Sequence, residues 1–264
     1  IPKRDWSSDV CSSDLDLSSE DFYRKLSETE AFPTTSQPSP GDFADLYRKL
    51  AQTDPEILSI HISSGLSGTL ESAKLGAAMV PEAKVHHYDT KTLSCPEGWQ
   101  VEAAARALKS GWPIARIQVL LEDIREKAEG RFTLNDMRYL VHGGRISHLK
   151  GLVASLLNIK PVIGVDHQTG KYVNLVQEVT LKRAIKKMVD YAGKLYPEGT
   201  KLRVQPLHGF NLPAVDIMIE TFKQHFDCAF EAITPVAPVL GAHTGPSLVG
   251  FAIAPLNIFK PLEG

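Results

Sequence analysis

The chain has 264 residues, of which 43% are hydrophobic and 23% are charged, and its net charge at pH 7 is −2. This composition is typical of a globular protein with room for two domains, and no apolar run approaches the ~20 residues of a membrane span. A nucleic-acid-binding protein is excluded because the sequence has no basic run or stripe. Cys11 lies in the first 15 residues, and the remaining Cys95 and Cys228 are too few for a disulfide scaffold and are not in a metal-ligand spacing. We therefore expect a cytoplasmic protein.

The first 15 residues show no hydrophobic periodicity and no apolar run of the kind that a secretory signal requires. Residues 5–15 read DWSSDVCSSDL, which resembles the in-frame translation of a common sequencing adapter. We therefore interpret residues 1–15 as an artefactual or disordered segment outside the fold. The alternative is a natural arm rich in serine and aspartate.

Between residues 16 and 130 the hydrophobic pattern alternates between helical and strand periods. Helices are predicted over residues 16–28, 43–50, 71–79, 97–111 and 113–128, and strands over 56–63 and 83–90. A proline-rich loop separates the first two helices, and Pro38 and Pro40 are expected to prevent regular structure there. The first strand is followed by a turn rich in glycine and serine and then by a helix, an order typical of a binding turn in an open α/β sheet.

After residue 130 the pattern changes. A short apolar helix is predicted over 148–158, and two apolar segments flank DHQTG, which predicts a hairpin with Gly170 in its turn. Further helices are predicted over 181–195 and 213–226, and strands over 202–209, 228–236 and 248–255. We therefore predict an α/β protein of two domains, with a parallel-sheet α/β domain over residues 16–130 and an α+β domain over residues 131–264.

Two polar loops in the first half are candidate binding sites. Thr35, Ser36 and Gln37 stand together where prolines prevent a backbone ladder, and their side chains can donate hydrogen bonds to an anion or an amide. The turn SSGLSGT over residues 63–69 brings glycines and a helix start together, which favours an anionic oxygen. The alternative for both loops is a purely structural role, with ordinary turn and helix caps.

Two further motifs lie in the second half. Arg145 follows a pair of glycines near a helix start and could hold a carboxylate or phosphate with both arms of its guanidinium group. His243 and Thr244 lie in a turn bounded by glycine and proline, where the imidazole could donate to an anion or act as a base. A surface arginine and a structural histidine are the corresponding alternatives.

A serine hydrolase is a second functional class that these residues allow. Ser67 as the nucleophile, His243 as the base and Asp89 as the acid would give the required residue types. The sequence around Ser67 reads Gly-Leu-Ser-Gly-Thr, however, and lacks the Gly-x-Ser-x-Gly pattern of a nucleophile elbow. A regulatory module that binds a small anion is a third class.

Four segments in this order resemble the DegV family of bacterial fatty-acid-binding proteins: PTTSQPSPGDF, SSGLSGTLESA, HGGRIS with LLNIKPVIGV, and GAHTGP. The resemblance runs from about residue 16 to about residue 253. It implies a two-domain carrier without catalytic residue, metal or cofactor that encloses one long-chain fatty acid in an apolar tunnel. It further implies that the carboxylate is presented to a fatty acid kinase for acyl-phosphate formation in phospholipid synthesis, and it allows transient contact with a membrane surface.

Carried over by motif, the resemblance implies that the hydroxyls of Thr35 and Ser67 hold the fatty-acid carboxylate. Five other residues match positions near the head group: Ser36, Gly68, Arg145, His243 and Thr244. Apolar stretches 152–157 and 159–165 are candidates for the tunnel. The family usually opens with a strand ending in Thr-Asp-Ser, which this chain lacks, so we expect the first domain to leave a sheet edge unpaired.

Overall fold

The computed structural model describes residues 17–149 and 159–262. The helices are α1 Ser19–Glu28, α2 Pro40–Ala51, α3 Thr69–Ala78, α4 Ser94–Lys109, α5 Ile114–Lys127, α6 Arg138–His142, α7 Leu181–Ala192, α8 Leu212–His225 and α9 Pro238–Thr244. The strands are β1 Glu56–His61, β2 Lys84–Asp89, β3 Glu129–Thr133, β4 Lys160–Val165, β5 Tyr172–Glu178, β6 Leu202–His208, β7 Cys228–Phe230, β8 Thr234–Pro235 and β9 Val249–Pro255. Short 3-10 helices span Arg145–His148 and Leu256–Leu262.

The strands form two sheets. In the small sheet β1 and β2 run parallel, in register from Glu56 opposite Lys84 to His61 opposite Asp89. The large sheet has the order β5-β4-β3-β9-β6-β7, with β8 pairing with β6, and it is antiparallel except where β6 meets β7 and β8. The predicted α/β class, with a parallel sheet and a second sheet covered by helices, is therefore confirmed.

Strand β9 is buried on both faces because helices cover the large sheet on both sides. Ala252 and Ala254 pack with α4 and α5, in a cluster that also includes Tyr88 of the small sheet. Phe251 and Ile253, which alternate with those alanines, pack with α7 and α8 on the opposite face. A strand that contacts helices on both sides needs apolar residues at every position. The continuous apolar run over residues 248–255 has this pattern and was the basis for predicting β9.

The predicted hairpin is present, with β4 antiparallel to β5 and Gly170 at a φ of 67° in the connecting turn. Pro40 was expected to prevent regular structure, and this expectation is wrong. Helix α2 begins at Pro40 because proline is tolerated at the first position of a helix. The preceding residue, Ser39, caps this helix and forms a capping box with Asp42.

Two more elements differ from the sequence prediction. Residues 129–133 form β3, although no strand was predicted there, because β4 and β9 flank the segment on both sides. His243 was expected in a turn but lies in the last turn of α9, which Pro238 begins. Most of the predicted apolar helix over 148–158 lies outside the described residues, and the division into two domains at residue 130 stays a prediction.

Candidate functional site

The loop between β1 and α3 carries Ser67 and is held by its own hydrogen bonds. The Ser67 amide donates to the carbonyl of Ser63 at 3.1 Å. The Ser67 and Thr69 hydroxyls lie 2.8 Å apart, and the Thr69 amide donates to Ser67 Oγ. When the Thr69 hydroxyl donates to Ser67, the Ser67 proton is free to donate to a ligand oxygen. Thr69 therefore belongs to the site; sequence reasoning included it in the candidate turn 63–69 but gave it no role of its own beyond a possible helix cap.

Thr35 and His243 are 208 residues apart in sequence and form a hydrogen bond of 2.8 Å between Oγ1 and Nε2. Burial, followed by the nearby positive charges of Arg145 and His142, lowers the pKa of His243 to about 4. The imidazole is therefore neutral at pH 7 and carries a single ring proton. If that proton is on Nε2, it donates to Thr35 and leaves the Thr35 hydroxyl free to donate to a ligand.

Arg145 lies opposite the serine loop. Gly144, at a φ of 74°, turns the chain after α6, and Arg145 Nη1 donates to the Gly143 carbonyl at 2.7 Å. A cleft of about 380 Å³ separates this segment from the serine loop. Its lining residues are Ser64, Gly65, Leu66, Ser67, Gly68, Glu71, Gly143, Gly144 and Arg145. The structure therefore brings Ser67, Gly68 and Arg145 together across one open cleft.

Gly143 connects this cleft to the histidine. A Cβ on Gly143 would collide with Nδ1 of His243, so the imidazole packs directly against the glycine backbone. His243 therefore contacts both the segment that lines the cleft and the hydroxyl of Thr35. The predicted Gly pair before Arg145 has a packing role that the sequence did not reveal.

Gln37 links the Thr35 loop to the Ser67 loop. Its side-chain oxygen packs so closely on Gly68 that a Cβ there would collide with it, and its Nε2 donates to the buried hydroxyl of Ser72 at 3.2 Å. Sequence reasoning noted the polar side chain of Gln37 but did not assign this bridge. A glycine at position 68 is the signal that could have indicated a close approach.

Two of the predicted head-group neighbours lie differently. The side chain of Ser36 is exposed. Thr244 is buried, and its hydroxyl donates to the carbonyl of Leu240 at 3.0 Å within α9. That bond occupies the hydroxyl, so the geometry gives Thr244 a helical role and not a ligand contact.

The hydrolase triad is not assembled. Ser67 bonds Thr69, His243 Nε2 bonds Thr35, and Asp89 accepts hydrogen bonds from the Ser64 hydroxyl at 2.5 Å and from the Lys91 amide at 3.0 Å. These pairings leave no relay from an acid through a histidine to Ser67, which a nucleophilic serine needs.

An apolar cluster lies directly behind the cleft. Leu66 lines the cleft and is also part of this cluster, and Ile146 follows Arg145. The other buried members are Leu134, Met137, Leu140, Leu149, Ile163, Val165 and Tyr172. Leu66 therefore joins the lining of the polar cleft to a buried apolar cluster that includes part of β4, one of the stretches predicted for the tunnel.

Other kinds of site have little support in the part of the chain that the structure describes. Within residues 17–149 and 159–262, no group of three or more His, Cys, Asp or Glu could hold a metal ion. Cys95 and Cys228 are free thiols, and burial raises the pKa of each to about 11. None of the described helices has the length and apolar character needed to cross a membrane.

The fold and the site together define a two-sheet α/β protein with a polar cleft, lined by serine hydroxyls, Glu71 and Arg145, beside an apolar cluster. The family model described as "Uncharacterised protein, DegV family" matches residues 7–256. The chain therefore belongs to the DegV family, and the resemblance seen in its four sequence motifs is confirmed.

Relatives match this protein over nearly all of the chain. A DegV domain-containing protein of Listeria monocytogenes is 32% identical over 237 residues, which cover 89% of this chain and 83% of that protein. A fatty acid-binding protein of Thermotoga maritima is 31% identical over 242 residues, covering 89% and 82%. The structure of a fatty-acid-binding DegV family protein from Thermus thermophilus has a TM-score of 0.80 at 29% identity, covering 91% of this chain and 85% of that one.

Proposed function

We propose that this protein is a non-catalytic carrier of a single long-chain fatty acid. The observation that supports this most directly is the junction of a polar cleft with an apolar cluster at Leu66. Amphipathic ligands with one charged end need both kinds of surface in contact with each other. The fatty-acid binding of the relatives from Thermotoga maritima and Thermus thermophilus supports the same class of ligand.

In this proposal the carboxylate lies in the cleft. Ser67 donates a hydrogen bond to it, and the guanidinium group of Arg145 offsets its negative charge. Thr35, which is not among the lining residues but is linked to the cleft through His243 and Gly143, is the proposed second donor. His243 remains neutral and orients Thr35. The tail then passes Leu66 and lies along the apolar cluster.

The two parts of the ligand contribute unequally. At about 0.8 kcal/mol per buried methylene, fourteen such groups contribute on the order of 11 kcal/mol before ordering costs. A hydrogen bond from a hydroxyl to a carboxylate contributes about 1.5–3 kcal/mol. The tail therefore sets most of the affinity, and the hydroxyls set the direction and register of the ligand.

Native mass spectrometry of the purified protein tests ligand identity, since we expect a co-purifying mass of one long-chain fatty acid. Titration with saturated acids of 8 and 16 carbons tests the tail contribution. Affinity that does not rise with chain length would favour a small-anion-binding module over a lipid carrier.

Ser67→Ala tests the head group. We expect it to weaken binding of a 16-carbon acid by about tenfold, while a 16-carbon alcohol of equal length binds almost as before. Ser36→Ala is the matched control in the polar-loop set, because that side chain is exposed. If Ser67→Ala leaves the preference for the acid over the alcohol unchanged, Ser67 does not hold the carboxylate.

The carrier is further proposed to present the carboxylate to a fatty acid kinase, with acyl-phosphate as the product. The open cleft supports this, because a carboxylate in it would be accessible to a second protein. Acyl-phosphate formation from ATP with a purified bacterial fatty acid kinase is the assay. A kinase that acts on free fatty acid equally well in the absence of this protein would contradict the presenting role.

A further inference from the structure

The turn between β4 and β5 inserts against the loop that carries Ser67. The hydroxyl of Ser63 donates to the carbonyl of Gly170 at 2.8 Å, in a fully buried position where Ser63 is 0% exposed. A Cβ on Gly65 would collide with the carbonyl of Thr169, and a Cβ on Gly170 would collide with Ser63 Oγ. Both glycines are therefore required for the two loops to approach this closely.

The inserted turn is internally rigid. The Asp166 carboxylate accepts hydrogen bonds from both the amide and the hydroxyl of Thr169 at 2.7 Å. The Gly170 amide donates to the Asp166 carbonyl at 2.7 Å, and the Asp166 amide donates to the carbonyl of Lys171. A turn with this many internal bonds holds the Gly170 carbonyl in a fixed position.

Ser63 connects that fixed point to the head-group site. Its hydroxyl bonds Gly170, its amide donates to the carbonyl of Thr92 at 2.9 Å, and its own carbonyl accepts from the amide of Ser67 at 3.1 Å. A displacement of Ser63 would therefore move the Ser67 backbone with it. Leu66 of the same loop is also anchored, by packing in the apolar cluster, whereas Ser64 and Gly68 are exposed.

We propose that the Ser63–Gly170 contact is a latch that positions Ser67 and so sets the preference of the cleft for a carboxylate head group. Ser63 is a positioning residue in this role, because its hydroxyl is bonded to Gly170 and acts on the ligand only through Ser67. This inference rests on the proposed fatty-acid function. It adds to that function a determinant of head-group specificity in the β4–β5 hairpin.

The test compares the affinity for a 16-carbon fatty acid with the affinity for the 16-carbon alcohol in the full chain. Ser63→Ala removes the donor to Gly170 and the acceptor of the Gly65 amide. We expect the acid-to-alcohol preference to fall about tenfold while alcohol affinity changes less than about twofold. Gly170→Ala is expected to do the same, because its Cβ would displace Ser63. Gly199→Ala is the matched control, since Gly199 also has a positive φ, of 82°, but has open space where the added Cβ would lie.

The outcomes separate the latch from the carrier function. Wild-type protein that binds neither ligand would overturn the proposed function itself. Wild-type protein that prefers the acid, with an unchanged preference in folded Ser63→Ala, would overturn the latch alone, as would equal losses for acid and alcohol. If Ser63→Ala does not fold, the acid-to-alcohol preference of Gly170→Ala tests the latch instead. If neither variant folds while Gly199→Ala does, the contact is only structural and the proposal is overturned.

Discussion

Glu97, in the first turn of α4, gives the sharpest prediction of stability. Burial, and after it the negative charge of Asp89, raises the pKa of Glu97 to about 7 from an ordinary value of 4.5. Because the unfolded chain releases this proton at lower pH than the folded chain does, stability falls as pH rises from 4.5 to 7 and then levels off. Glu97→Gln removes the group that titrates and should remove this loss.

The two pKa values set the magnitude. They give a penalty to the folded state of about 1 kcal/mol at pH 5 and about 3 kcal/mol at pH 8.5. Glu97→Gln should therefore raise the free energy of unfolding by about 2 kcal/mol more at pH 8.5 than at pH 5. Comparing variant with wild type at each pH cancels the titration of other groups, such as His243, whose lowered pKa weakens the fold only as the pH falls below 6.5.

Urea denaturation at pH 5 and pH 8.5 measures both differences. Glu126→Gln, which removes an exposed carboxyl from α5, controls for the loss of one negative charge. Equal stabilisation by Glu97→Gln at the two pH values, or a larger effect at pH 5, would refute the assignment of a raised pKa to the half-buried carboxyl of Glu97.

Two further substitutions test the site and the core. Gly143→Ala should push His243 away from Thr35 and reduce the acid-to-alcohol preference several-fold, as measured by titration, whereas Gly98→Ala, with open space around its Cβ, should leave it unchanged. Phe222→Ala should lower the free energy of unfolding by about 3–5 kcal/mol in urea melts, because the Phe222 ring is fully buried on the inner face of α8. A loss below about 1 kcal/mol would contradict that packing.

The elements that could be predicted from sequence are those whose signals are local. The hairpin follows from a glycine that adopts a positive φ between two apolar runs, and β9 follows from an unbroken apolar run. β3 was missed because its five residues, EGRFT, are polar at several positions. Its strand conformation comes from β4 and β9, which are distant in sequence, and this tertiary pairing outweighs a weak local preference.

The site shows the same limit. Thr35, Ser67, Arg145 and His243 could each be selected because polar residues beside glycine or proline indicate a loop with a specific task. The bond between Thr35 and His243 could not be predicted, since it joins α9 to a loop 208 residues earlier. Gln37 was likewise visible as a polar side chain, but its contact with Gly68 depends on how the two loops meet.

The unequal contributions of head group and tail explain why the proposed carboxylate site has motifs and the proposed tail site has none. A hydrogen bond needs a particular atom within about 3 Å of its partner, so few residue types can replace Ser67 or Thr35. Apolar burial depends on area and volume, and leucine, isoleucine and methionine can substitute for one another at a cost below about 1.5 kcal/mol. In the proposed carrier, the residues that would supply most of the binding free energy are therefore the ones that the sequence marks least, and the cluster that includes Leu66 became visible only once β4 and α6 were placed.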